Sequence, residues 1–179
     1  PGMLSAAEWR LTPSIEVSET YTDNVTLERD STRESDWITQ INPAVSISGI
    51  GRELELNFGY RMQNLFYIGD SDRNDINHQL SGILKATLVP RWLFLDASSS
   101  LSQQMLSADE RVSVGNISAV SGRKDVLTGS LSPYISTRLG KDAQTELRFT
   151  HDRVAYSGNT AADSSSNKLD AKLSSTKTW

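Results

Sequence analysis

From Trp9 to Tyr21 every second residue is of one chemical kind. The odd positions read Trp9, Leu11, Pro13, Ile15, Val17, Glu19, Tyr21, and the even positions Arg10, Thr12, Ser14, Glu16, Ser18, Thr20. Only Glu19 interrupts the apolar set, and no even position is apolar. A β-strand turns successive side chains to opposite faces, so a period of two implies a strand with one oily and one wet face. A helix would scatter the same residues around its circumference.

The period returns along the chain. Leu54, Leu56, Phe58, Tyr60, Met62 and Phe66 share one face, opposite Glu55, Asn57, Arg61 and Gln63. Ile76, Leu80, Leu84, Ala86 and Leu88 alternate with Asn77, Gln79, Lys85 and Thr87. Further sets are Leu93, Leu95, Ala97 and Leu101; Leu127, Leu131, Ile135 and Leu139; and Leu147 with Phe149. Ile41, Val45 and Ile47 mark a strand near 37–48, and Leu169, Ala171 and Leu173 a weaker last one. The expectation is all-β: eight strands in a row, with no helix between them. A short repeat recurs in three of them, around Pro13, Pro43 and Pro133. Proline removes a ladder donor, so local bulges near one rim are expected at these positions.

Composition removes several function classes. There is no cysteine, hence no disulfide, thiol nucleophile or thiolate-bound metal. No apolar run is long enough for a transmembrane helix. A net charge of -4, spread along the chain, offers no basic stripe for nucleic acid. The opening Pro1-Gly2-Met3-Leu4 has no basic segment followed by a long apolar one, which suits a chain that is not exported or a mature form.

The connections sort the remaining architectures. Thr22 to Asp36 is long and polar, Gly49 to Arg52 tight, Tyr67 to Asp75 medium, Val89 to Arg91 tight, Ser102 to Asp125 long, Gly140 to Asp142 tight, and Asp152 to Asn167 long. In an up-and-down meander alternate connections share an end, so the long loops gather at one rim and the tight turns at the other. Outer-membrane barrels have this layout, whereas a soluble sandwich has no physical reason to adopt it. Trp9, Trp92 and Trp179 fall at the tight-turn rim, and Tyr21, Trp37, Phe66, Tyr67 and Tyr156 at the long-loop rim. They are candidates for the two aromatic girdles of a lipid boundary. Twelve steps from Trp9 to Tyr21, at ~3.3 Å each and a tilt of ~40°, rise ~30 Å, the thickness of a bilayer's hydrocarbon core.

Several stretches resemble one outer-membrane β-barrel family: Trp9-Arg-Leu-Thr-Pro13-Ser-Ile, Thr20-Tyr-Thr-Asp-Asn24-Val, Ser35-Asp-Trp37-Ile, Asn42-Pro43, and Asn74-Asp-Ile-Asn-His78-Gln-Leu. That family accompanies PEP-CTERM/exosortase and exopolysaccharide gene clusters in Gram-negative bacteria. The likeness is most specific over residues 9–95. It implies a bacterial outer-membrane location and a setting in exopolysaccharide export, but no catalytic residues. Members of the family are longer, so the resemblance implies that 9–179 is the N-terminal part of a larger antiparallel transmembrane barrel, after a short periplasmic segment at 1–8.

Candidate sites follow from the faces. Glu55, Asn57, Arg61, Gln63, Lys85, Asp96, Arg138, Glu146, Arg148, Asp170 and Lys172 are expected to point into the lumen. There they either pair across strands and plug a narrow barrel, or line a wet channel. Both signs occur in similar number, which suits a neutral or weakly charged cargo such as a polysaccharide. The loop from Ser102 to Asp125 is long enough to fold inward as a constriction, the alternative being a mobile loop. His78 and His151 fall on the apolar face without a ligand set, so a structural role is expected. Asp70-Ser-Asp72-Arg-Asn74-Asp75 opens like a calcium loop, but Asp75 replaces the glycine and Ser81 the closing glutamate. No serine is placed beside a histidine and an acid in a strand-to-helix turn, which argues against hydrolysis. The expectation is therefore a non-enzymatic barrel without cofactor: a porin-like conduit or scaffold in contact with lipid and with polysaccharide or export-machinery proteins. The alternatives are a plugged structural or adhesive barrel displaying its loops, and a soluble glycan-binding β-sandwich.

Overall fold

A computed structural model describes residues 8–105, 116–118, 123–158 and 162–175. It contains eight strands: β1 (Glu8–Thr22), β2 (Asp36–Ile50), β3 (Leu54–Tyr67), β4 (Asp75–Val89), β5 (Leu93–Met105), β6 (Arg123–Leu139), β7 (Ala143–Tyr156) and β8 (Ser164–Ser175). They form one antiparallel sheet in sequence order, each strand beside the next. The sheet is open: β8 does not pair with β1, so the fold is a section of barrel-like wall with two free edges. Among the described residues the only helical elements are single 3-10 turns at Asp30–Thr32 and Ser71–Arg73, both in connections.

Long and short connections alternate as expected. Residues 51–53, 90–92 and 140–142 are tight turns, whereas 23–35, 68–74, 106–122 and 157–163 are longer. Two boundaries differ from expectation. Glu8 already belongs to β1, so no separate segment extends to residue 8. The loop expected from Asp152 to Asn167 is much shorter, because Ser164, Ser165, Ser166 and Asn167 pair with Val154, Arg153, Asp152 and His151. Serine has little to bury, but its backbone completes a ladder as well as any other residue. Trp179, expected at the tight-turn rim, lies outside the described residues.

The prolines differ from expectation more instructively. Pro13 sits opposite Val45 in a β1–β2 register unbroken from Glu8 to Thr22. Pairing of β2 with β3 lapses at Asn42 and Pro43, then resumes in the same register, and that of β6 with β7 lapses likewise at Ser132 and Pro133. No bulge forms there; among the described residues the only register shift lies between Thr87 and Val89. Pro43 and Pro133 keep partners on their other side, Ile15 and Leu95. Their missing donors therefore fall where the ladder lapses. Asn64 patches one such place by donating from Nδ2 to the Ile41 carbonyl at 2.6 Å.

Residues directly opposite in an antiparallel pair share a face, so the register carries each face across the sheet. One row runs Leu11, Ile47, Phe58, Gly82, Ser99, and the next Trp9, Gly49, Leu56, Leu84, Ala97, Leu131, His151. Trp9 lies flat over Gly49, where an added Cβ would stand 2.5 Å from its ring, so the glycine makes room for the indole. The oily positions of all eight strands thus form one continuous surface.

That surface is the outward one. Leu11, Ile15, Val17 and Leu173 are 65–70% exposed. Among the described residues twenty-two large apolar side chains are exposed and five are buried, the reverse of a water-soluble core. The polar face is the sheltered one: Gln40, Asn42, Asn77 and Ser132 are each under 10% exposed. In a single layer, the face whose side chains crowd together is the concave one.

Candidate functional site

All eleven residues expected to face a lumen share the concave face. Glu55 sits across from Lys85, Lys85 from Asp96, Glu146 from Lys172 and Arg148 from Asp170. Arg61 lies between Ala44 and Gln79, and Asn57 between Ser48 and Ile83. Gln63 lies opposite Asn77, and Arg138 opposite Gln144.

Several of these charges pair, some across strands and some along one strand. Lys85 Nζ is 3.5 Å from Glu55. Arg148 donates from Nη1 to Asp96 Oδ2 at 2.7 Å and from Nε to Glu146 Oε1 at 3.0 Å. Lys168 Nζ contacts Asp170 at 2.9 Å, and Arg61 pairs with Glu16. Arg61 and Arg148 each reach over an intervening strand, from β3 to β1 and from β7 to β5. Ala44 and Ser132 in those intervening strands keep the path low. Most of these pairs are half exposed, so each contributes at most about 1 kcal/mol; the Arg148 set is the more sheltered, with a side chain 24% exposed.

Near the long-loop rim the concave face turns apolar. Ile38, Leu65 and Tyr67 point inward there, packed against Val25 of the first long connection and against Ile117. Asn116–Ser118, the described part of the third long connection, is held on this face. Tyr67 donates its hydroxyl to the Ile117 carbonyl at 2.8 Å, Asn116 Nδ2 donates to Gln63 at 2.9 Å, and Arg123 donates to the carbonyls of Asn116 and Ser118. Of the two alternatives for this loop, Asn116–Ser118 lie against the concave face. The sequence reading missed Val25, Ile38 and Leu65. The available signal was two apolar residues, Ile38 and Leu65, out of phase with their own strands.

The aromatics divide. Trp9, Tyr21, Trp37, Phe66 and Trp92 are exposed, each by roughly half, with Tyr21 against Trp37 at 5.2 Å. Tyr67 and Tyr156, expected beside them, lie on the concave face instead: Tyr67 is buried, and Tyr156 pairs with the buried Val126. A one-residue displacement along a strand reverses the face.

The residues that carried the family resemblance tie down the loops. Asn24 Oδ1 accepts from the Glu28 amide at 2.8 Å, and Asp36 Oδ1 from the amides of Trp37 and Gly69 at 2.8 and 2.7 Å. Asn74 Oδ1 accepts from the Tyr67 amide at 2.8 Å. Arg73 donates to Glu34, which holds its guanidinium charged above the ordinary arginine range. In the stretch read as a weak calcium loop, Asp70 accepts from the Asp72 amide and Asp75 from the Ile76 amide. These carboxylates cap their own turns, and no cluster of metal-binding side chains occurs among the described residues. His78 meets the Tyr60 hydroxyl at 2.7 Å and His151 meets Asn167 at 2.8 Å, both on the convex face. No protein family, curated protein or solved structure matches the chain.

Proposed function

We propose that this chain is wall of a bacterial outer-membrane β-barrel, a conduit or scaffold for exopolysaccharide export that works without catalysis or cofactor. One observation carries the reading: the continuous apolar face is exposed and the polar face is sheltered. Water would drive the opposite arrangement, while hydrocarbon favours this one. The two free edges fit the same reading, because lipid leaves no backbone group unpaired and a spanning sheet must close. Further strands meeting β1 and β8 would close it and give a lumen wider than eight strands enclose. The conduit is then lined by polar groups of both signs, which exclude neither a neutral nor a weakly charged polymer.

The paired charges and the Val25–Ile38–Leu65–Tyr67–Ile117 cluster favour a second reading, a plugged barrel that displays its long loops. Conductance separates the two. Native protein reconstituted in a planar lipid bilayer should pass discrete ionic currents. Silent but correctly inserted protein would leave the plugged barrel, and protein that stays folded and monodisperse without detergent would remove the membrane reading altogether.

A further inference from the structure

The concave face carries an aromatic pair that a lipid boundary cannot explain. Phe94, Tyr134 and Arg148 stand in one register row on β5, β6 and β7. The Arg148 guanidinium lies 3.8 Å from the centre of the Tyr134 ring, and the Tyr134 and Phe94 rings stack at 5.1 Å with planes 20° apart. Arg148 is pinned by Asp96 and Glu146, so the stack is anchored at that end. At the other end, the β4 residue across from Phe94 is Thr87, too short to cover a ring. Among the described residues no further ring stacks on Phe94.

Two cavities meet at this ring. One, of about 630 Å³, is lined by Arg91, Phe94, Ser136, Arg138 and Gln144, and lies within the size range of small-molecule sites. The other, of about 200 Å³, is lined by Glu55, Lys85, Thr87, Phe94, Asp96 and Tyr134. A flat apolar ring thus sits between a side with two ion-paired carboxylates and Lys85, which offer both acceptors and donors, and a side with guanidinium and amide groups.

We propose that Phe94 is the stacking platform of a sugar site at the tight-turn mouth of the wall. A pyranose ring presents a face of C–H groups that lies on an aromatic ring, and an edge of hydroxyls that both donate and accept. It therefore uses acceptors and donors together, which a phosphate or a simple cation would not. Cavities on both sides of the platform leave room for successive sugar units of one chain. The proposal rests on the concave face being the wet inner wall of the conduit, and it places the site where a polymer coming from the tight-turn side would first meet that wall.

The test uses native protein and three neutral probes: maltohexaose, cellohexaose and chitohexaose. Binding is read by saturation-transfer NMR in detergent micelles and by interruption of current in planar bilayers. At least one probe should bind, and Phe94→Ala should weaken it about tenfold, the upper range for an aromatic contact. Phe94→Leu should lose as much, because it keeps apolar bulk without a flat face, while Phe66→Ala on the convex face should change nothing. The site is overturned if no probe binds, or if Phe94→Ala binds like the native protein while keeping its strand content. Currents without probe-dependent interruption would remove the site and leave the conduit; Phe94-dependent binding without currents would keep the site and remove the conduit.

Discussion

Arginine placed at Leu131 should distinguish a lipid-facing surface from a merely exposed one. Leu131 lies on the convex face of β6, between Ala97 and His151, and is 47% exposed. The apolar run on that face of β6 extends from Leu127 to Leu139, centred at Pro133. Two residues from the centre, at ~3.3 Å each and a tilt of ~40°, put Leu131 ~5 Å from the midplane of the belt; six residues put Leu139 ~15 Å away. An arginine near the bilayer midplane of a barrel costs about 2–4 kcal/mol, and one at the interface about 0–1 kcal/mol. On a surface facing water, the same replacements would stay within about 0.5 kcal/mol of neutral. Leu131→Arg should therefore shift the folding equilibrium about 150-fold, from ~3 kcal/mol, with Leu139→Arg nearly silent. Reversible denaturant titration in phosphatidylcholine bilayers, followed by tryptophan fluorescence, measures both. Equal costs at the two depths, or none at Leu131, would refute a belt buried in hydrocarbon.

Other outcomes follow from the same geometry. Trp37 and Trp92, exposed at opposite rims, should be quenched by lipids brominated near the headgroup and much less by lipids brominated near the chain ends, in parallax fluorescence measurements on single-tryptophan variants. Arg148→Ala removes two charged hydrogen bonds and the contact with Tyr134, and should cost about 2 kcal/mol in the same titration. A double-mutant cycle with Asp96→Ala should show coupling, and additivity would mean the pair contributes nothing. Gly49→Ala would place a methyl group 2.5 Å from the Trp9 ring; the indole should swing aside, seen as a shifted Trp9 emission maximum with strand content kept.

Much of the fold is legible because its code is local. Each strand announces itself through alternation over a dozen residues, and the tight turns at 51–53, 90–92 and 140–142 leave neighbouring strands no option but antiparallel pairing. The eleven polar residues on one face could be read for the same reason: once the strand is known, parity sets the face. Tyr67 and Tyr156 differ from expectation because height along the strand groups them with the rim aromatics, whereas parity puts them on the polar face. The serine-rich start of β8 has the composition of a loop, because polar side chains hide a strand when only the backbone ladder demands it.

The alternation in the chain determined by itself that this protein is a meander with one oily and one wet side, since side-chain direction in a strand repeats every two residues. Only the tertiary structure decided that the oily side is the convex one, that β1 and β8 each keep one free edge, and that Phe94, Tyr134 and Arg148 stack. Those facts depend on how seven registers add up across the sheet. Sheet curvature, edge pairing and contacts between side chains on different strands have no trace in any single stretch of sequence.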